Sequence, residues 1–298
     1  LPFGDPTWGG INYAVNGGAT RDFWWQANPT KAWGIIACQV ESTPSDIRDG
    51  LSKTILLSEF LHGDNDTGQL GNNSTVDSPT PVSVLLPGPA ASVSAGAQHS
   101  CALLSDSEAD CWGDNSSGQL GRSTPGESAV PLQIPGIAAA TAVAVGFQHA
   151  CALLVDQSVR CWGDNTYGQL GDGTNSSTTS PVAVRDISTA TALVAGTDFA
   201  CALLVDRTVR CWGRNFAGQL GNGTFTASSV PVVVRDVSTA TAVSAGDHQV
   251  CAVLQGGAAK CWGYNNQYQL GDGTSSDRPT PVSVLDLSTA TSIATNGT

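Results

Sequence analysis

The chain has 298 residues, of which 41% are apolar and only 13% charged, with 34 Gly and 15 Pro. Its formal net charge is −12, from 25 acidic and 13 basic residues, which excludes a surface built to neutralise phosphates and with it nucleic acids and anionic membranes as partners. No apolar run approaches the roughly 18 residues of a membrane helix, and the apolar content excludes wholesale disorder. The chain starts at Leu1 and contains no Met, which reads as a mature or excised product.

Residues 1–48 differ in texture from all that follows. They hold Trp8, Trp24, Trp25 and Trp33 together with Phe3, Tyr13 and Phe23, either a contact surface or a small core of their own. Gly10–Ala19 and Asp49–Glu59 are similar to pieces of a bacterial pseudopilin-like family of unknown function. Members of that family begin with a hydrophobic prepilin helix that this sequence lacks, so pilin-type assembly is not expected.

From residue 49 the sequence repeats with a period of 50, in segments 49–98, 99–148, 149–198, 199–248 and 249–298. Gly-Gln-Leu-Gly stands at 68–71, 118–121, 168–171 and 218–221, with the variant Tyr268-Gln269-Leu270-Gly271. Cys-Trp-Gly stands at 111–113, 161–163, 211–213 and 261–263. Each period reads as four short strands, for example Thr141–Val145, Ala150–Val155, Val159–Gly163 and Pro181–Val184, bounded by Gly, Asn and Asp turns. The expected fold is therefore all-β, a propeller-like array of about five four-stranded blades. The repeated Trp and Leu are expected to pack between neighbouring blades.

The run Gly146-Phe147-Gln148-His149-Ala150-Cys151-Ala152-Leu153, followed by Val159, Trp162-Gly163-Asp164-Asn165 and Gly168-Gln169-Leu170-Gly171-Asp172-Gly173-Thr174, resembles the regulator-of-chromosome-condensation repeat. The resemblance covers about 63–298 and implies a β-propeller of four-stranded blades, usually seven. The family's nuclear member acts as an exchange factor on a small GTPase; no residues of this chain align with that activity, and it is not expected here.

Eight cysteines fall in pairs ten apart: Cys101/Cys111, Cys151/Cys161, Cys201/Cys211 and Cys251/Cys261. If each pair faces across a hairpin, the midpoint of the second pair is residue 156, giving a three-residue turn centred on Asp156. One disulfide per blade is the expectation; a metal site is the rival, without Cys-x-x-Cys and with few His. Four bridges imply an oxidising compartment, so the protein is read as secreted, at the cell surface or beyond. Cys38 stands alone, as a buried thiol or as a bridge to another chain.

The first period is irregular. Leu51 and Leu61 stand where later periods carry Cys101 and Cys111, and His62 replaces the Trp. Its inner hairpin is expected from Ile35–Val40 and Thr54–Leu61. At the other end Ser292, Ile293, Ala294 and Thr295 form a first strand with no hairpin after it. These residues and Ile55, Leu57 and Leu61 are candidate assembly contacts, completing one blade either within the chain or between chains.

No catalytic residues, metal site or cofactor are identified. His99 and His149 share one repeat position and read as structural. Asp64, Asp114 and Asp164 share another, where Arg214 and Tyr264 break the series, and turn formation explains the Asp residues. Calcium in the Asp-Gly-Thr loops at 172–174 and 272–274 lacks a full oxygen set. Asn-x-Ser/Thr sequons mark Asn65, Asn72, Asn73, Asn115, Asn175, Asn222 and Asn296 as candidate glycan sites. The reading is a secreted, non-enzymatic structural or assembly module that polymerises head to tail with itself. The alternative is a soluble extracellular binding or inhibitor propeller that recognises a protein or glycan through one loop face.

Overall fold

The computed structural model describes residues 56–57, 65–78, 81–123 and 126–295. The two candidate strands of the first inner hairpin lie mostly outside these residues, as do Cys38, Ile55, Leu61, Asn296 and the aromatic cluster of 1–48.

Eighteen strands are present among the described residues. A short pair, β1 (Leu56–Leu57) and β2 (Val82–Ser83), is followed by four four-stranded antiparallel sheets. Blade 1 comprises β3 (Ala90–Ala95), β4 (His99–Leu104), β5 (Ala109–Gly113) and β6 (Ser128–Gln133). Blade 2 comprises β7 (Ala140–Val145), β8 (His149–Leu154), β9 (Val159–Gly163) and β10 (Thr178–Ala183). Blade 3 comprises β11 (Ala190–Ala195), β12 (Phe199–Leu204), β13 (Val209–Gly213) and β14 (Ser228–Val233). Blade 4 comprises β15 (Ala240–Ala245), β16 (Gln249–Leu254), β17 (Ala259–Gly263) and β18 (Arg278–Ser283). In place of a fifth four-stranded blade, the described part of the first period supplies the two-stranded β1–β2 sheet.

The strand sequences follow from what covers them. In β4, β8, β12 and β16 nearly every residue is buried; blades 2 and 3 are covered by a neighbouring blade on each face, and the far side of blade 4 is covered in part by Ile293. Such strands read as continuous apolar runs instead of alternating. The outermost strands are half exposed and carry Pro131, Pro181, Pro231 and Pro281. Proline costs little at an edge and blocks pairing with another chain.

The hairpins have the register the cysteine spacing requires. Cys151 faces Cys161 and Leu153 faces Val159. The Leu154 N–H donates to Ser158 O (2.9 Å) and the Gln157 N–H to Leu154 O (2.9 Å), leaving Val155, Asp156 and Gln157 as the turn. Its last residue is left-handed: Ser107, Gln157 and Arg207 have φ of 69°, 66° and 65°, and blade 4 places Gly257 there. All four cysteine pairs are disulfide-bonded, with Cα atoms 4.0–4.1 Å apart.

The tryptophans join one blade to the next. Each indole is fully buried and its Nε1 donates to the carbonyl of the preceding Gly-Gln-Leu-Gly glutamine: Trp112 to Gln69 (2.8 Å), and Trp162, Trp212 and Trp262 to Gln119, Gln169 and Gln219 (2.9 Å each). Leu120 packs in one cluster with Trp162, and Leu170 with Trp212.

At the beginning of the array the register departs from the repeat. Cys111 faces Leu132, but Val82, the counterpart of Leu132, faces Leu57 and not Leu61. Strand β1 pairs with β2 and with no other described strand. The segment Ser292–Thr295 therefore does not pair with β1; it lies against blade 4. Thr295 N donates to Ser244 Oγ (3.0 Å), as Val145 N donates to Ser94 Oγ (3.1 Å) three blade boundaries earlier. Ile293 packs on Cys251, Cys261 and Leu270. The segment occupies the inner-strand position of a following blade.

Candidate binding face

In each blade the turn between the first two strands and the loop between the last two emerge at the same end. One backbone bond ties them: the N–H of Asp114, Asp164, Arg214 and Tyr264 donates to the carbonyl of Gln98, Gln148, Asp198 and His248, at 2.8, 2.8, 2.9 and 3.0 Å. Inside each loop a buried Asn accepts the Leu N–H five residues on, as Asn115 does from Leu120 (3.0 Å) and Asn215 from Leu220 (2.9 Å). The loop backbones are thus held alike, and differences between blades reside in side chains.

Those differences converge. In blades 1 and 2 the acidic residue closes its own loop. Asp114 accepts from Ser116 N (3.0 Å) and Gln119 Nε2 (2.6 Å), and Asp164 accepts from Thr166 Oγ1 (2.8 Å) and Gln169 Nε2 (2.6 Å). Blade 3 places Arg214 and Phe216 at these two positions, and blade 4 Tyr264 and Asn266. The Arg214 guanidinium donates from Nη1 to Asp198 (2.9 Å) and lies 4.6 Å from both the Tyr167 and Phe216 ring centroids. Phe216 meets His248 edge to face at 4.9 Å, and His248 meets Tyr264 at 6.2 Å. Asn266 Nδ2 donates to Tyr264 Oη. The result is a ladder across three blades, Tyr167–Arg214–Phe216–His248–Tyr264, with Phe216 46% and Tyr167 37% exposed. Partial burial holds the His248 imidazole below its usual pKa, against the nearby Asp247.

The ladder leaves polar atoms unpaired. Gln219 Nε2, Gln269 Nε2 and His248 Nδ1 are buried without a hydrogen-bond partner. Reading position 214 only as an interruption of an Asp series missed this site. The signal lay in comparing equivalent positions: 167, 198, 214, 216, 248 and 264 all depart from their counterparts within three consecutive periods.

The other candidate residues are placed as follows. The eight paired cysteines lie inside the blades. Asn65 (0% exposed) and Asn115 (6%), two of the sequon residues, are buried in their loops. Asn65 Nδ2 donates inward to Ser74 O and Val76 O, and Asn115 Nδ2 to Arg122 O. Asn73 and Asn175 are exposed, and Asn72 and Asn222 half buried. His99 and His149 are fully buried, and neither ring nitrogen of either has a partner. Burial lowers their pKa to about 3 and about 4. Asp172 and Asp272 accept from Thr174 and Thr274, and Asp272 also from Arg278 Nε (2.8 Å), so these carboxylates serve their own loops. Among the described residues no group of His, Cys, Asp and Glu is arranged to hold a metal, and no helix is long and apolar enough to cross a membrane.

A family model described as RCC1-like domain matches residues 29–298. Among solved structures, human WBSCR16 is similar with a TM-score of 0.69 at 20% identity, over 77% of this chain and 67% of that one. Prp20p of Saccharomyces cerevisiae, described with its binding properties to Gsp1p and histones, gives 0.64 at 23% identity, over 72% of this chain and 55% of that one. Yeast RCC1 (Prp20) bound by Kap60 gives 0.64 at 22%, over 77% and 54%. The chain thus spans about half the length of the yeast protein. No curated protein matches its sequence.

Proposed function

The chain belongs to the RCC1-like domain family, and from that premise we propose that it is a non-enzymatic binding module of the extracellular space that grips a protein partner through the loop face of blades 2–4. The observation that carries this reading is the ladder. Repeats supply an internal control, since a residue needed for folding recurs in every blade. The ladder residues do not recur, yet they meet in space and expose aromatic rings around an arginine, the residue types that dominate protein-contact energetics. A protein partner also agrees with Prp20p, whose described partners are proteins. An oxidising compartment is supported by the four disulfides.

The test is site-specific photo-cross-linking in the native setting. A benzophenone amino acid at Phe216 is expected to give a discrete protein adduct. The same group at Val155, 67% exposed in a turn at the opposite end of the blades, is expected to give none. Absence of an adduct at 216, or the same adduct from both sites, overturns the reading.

A second reading, head-to-tail assembly into an extracellular filament, is favoured by the terminal segment. Ser292–Thr295 begins a blade whose remaining strands are not found among the described residues, and strands from a second copy would complete it. Sedimentation velocity of the oxidised protein is expected to show concentration-dependent polymers under this reading and a single monomer peak without it. Glycans at Asn73 or Asn175, both exposed, would add to the intact mass.

A further inference from the structure

The glutamine of each Gly-Gln-Leu-Gly segment is oriented by its own loop. Its Oε1 accepts the N–H two residues upstream in every blade: Ser117 (2.8 Å), Tyr167 (2.8 Å), Ala217 (2.9 Å) and Gln267 (2.7 Å). The shared Oε1 contact holds the amide at the same place in each loop. In blades 1 and 2 it meets a carboxylate oxygen, of Asp114 and of Asp164, at 2.6 Å. In blade 3 that carboxylate is missing. Arg214 turns to Asp198 and to the space between Tyr167 and Phe216, and Gln219, 0% exposed, keeps an Nε2 with no acceptor. Blade 4 repeats the loss with Tyr264 and Gln269. A buried donor without an acceptor is destabilising, and blades 1 and 2 avoid this with a single Asp.

We propose that blade 3 is a receptor for a carboxylate, and that an Asp or Glu side chain of the protein partner takes the place that Asp114 and Asp164 hold in blades 1 and 2. The incoming carboxylate accepts from Gln219 Nε2 and from the Arg214 guanidinium, whose fork is suited to two oxygens at once. The Tyr167 and Phe216 rings already hold that guanidinium from two sides, which lowers the ordering cost of binding. Apolar neighbours of the acidic residue rest on the exposed parts of the same rings. This inference rests on the protein-partner reading and adds the chemistry of the contact.

The test uses the whole oxidised chain and a fluorescein-labelled peptide of alternating Asp and Phe, read by anisotropy. Its Asn-for-Asp counterpart and an oligogalacturonate serve as comparisons. The acidic peptide is expected to bind, with affinity falling about tenfold or more for the Asn peptide and for Arg214→Asp. Arg214→Asp returns the carboxylate of blades 1 and 2 but leaves it beside Asp198, where those blades carry Gln98 and Gln148. Arg214→Asp with Asp198→Gln is therefore made as well, and is expected to fold with an unchanged or raised melting temperature and to bind as weakly as Arg214→Asp. Arg214→Lys keeps the charge without the fork and is expected to fall between the unaltered chain and Arg214→Asp. Equal binding of the two peptides, undiminished binding by Arg214→Asp, or binding of neither peptide overturns the carboxylate receptor, the last leaving the unpaired amide to solvent alone. Capture of the oligogalacturonate in preference to the peptide overturns the assignment to a protein. An adduct at position 216 without peptide binding removes this inference and leaves the protein-partner reading standing.

Discussion

Gly218 and Pro279 touch through their backbones across the boundary between blades 3 and 4: a Cβ on the glycine would lie 2.4 Å from the Pro279 Cα. The contact recurs at Gly68 with Ala129 (2.4 Å) and Gly168 with Ser229 (2.5 Å), and Gly118 approaches Thr179 in the same way. All four glycines have φ between 75° and 84°. Tyr268 holds the fifth equivalent position at φ 60°, 61% exposed, with no described strand opposite it. The side chain at Tyr268 thus stands where the other four periods have a glycine in backbone contact with the next outer strand.

Gly218→Ala is expected to destabilise by about 2–4 kcal/mol, the positive-φ penalty and the clash acting together. Tyr268→Gly is expected to change stability by less than about 1 kcal/mol, since relief of strain offsets added chain entropy. Urea midpoints of the two variants check both, and equal effects would mean that the boundary contact does not constrain the glycine.

Acid sensitivity is expected from His99 and His149. Burial is the main cause of their low pKa values, about 3 and about 4; His149 reinforces the shift of His99, while Asp114 opposes it there and Asp198 and Asp164 oppose it at His149. The unfolded chain binds a proton near pH 6.5 and the folded chain does not, so stability declines as pH falls below about 6.5 and stops declining only near the folded values. Within that window each unit costs up to about 1.4 kcal/mol per histidine. Phe199 fills the same position in blade 3, so His99→Phe with His149→Phe is expected to fold and to flatten the decline between pH 6.5 and 4.5. An unchanged slope in urea titrations would assign the sensitivity to carboxylates.

Asp110 behaves in the opposite sense. It stands where blades 3 and 4 carry Arg210 and Lys260, which donate to Asp186 O (3.4 Å) and Asp236 O (2.9 Å). Burial first, then Glu108 and Asp106, push its carboxyl up to about 6. Protonation is thus favoured by folding, and the stability it contributes, present at low pH, is lost as pH rises through about 6. Asp110→Asn is expected to stabilise by about 1 kcal/mol at pH 8 and to have no effect below pH 4. Melting temperatures at the two pH values decide it.

Removing one bridge as Cys201→Ala with Cys211→Ala is expected to cost about 2–3 kcal/mol, from the loop entropy of a ten-residue separation. The Cys151–Cys161 and Cys201–Cys211 sulfurs are fully buried, whereas Cys251 and Cys261 on the last blade are 4% and 3% exposed. Mass spectrometry after graded reduction and alkylation is expected to find the Cys251–Cys261 bridge opening first. Simultaneous opening of all four would mean that reduction follows global unfolding.

How much was legible in the amino-acid sequence depended on whether a feature repeats. The 50-residue period, the Cys-Trp-Gly strand, the hairpin register at Asp156 and the disulfides all follow from local chemistry: turn formers, alternation and cysteine spacing determine them within one period. The chain itself also determined that Trp162 and Leu120 lie between blades, because large apolar residues recurring at fixed spacing have nowhere else to be buried. Tertiary structure alone decided the rest. Asn65 and Asn115 satisfy a sequon but are consumed by their own loops, and only the folded loop shows the amide turned inward. Val82 pairs with Leu57 because pairing across the first period is a long-range choice that spacing does not encode. Tyr167, Asp198, Arg214, Phe216, His248 and Tyr264 are scattered over nearly a hundred residues, and no short-range rule joins them. They meet because blade stacking brings equivalent loops side by side, so that departures from the repeat in three successive periods become one surface.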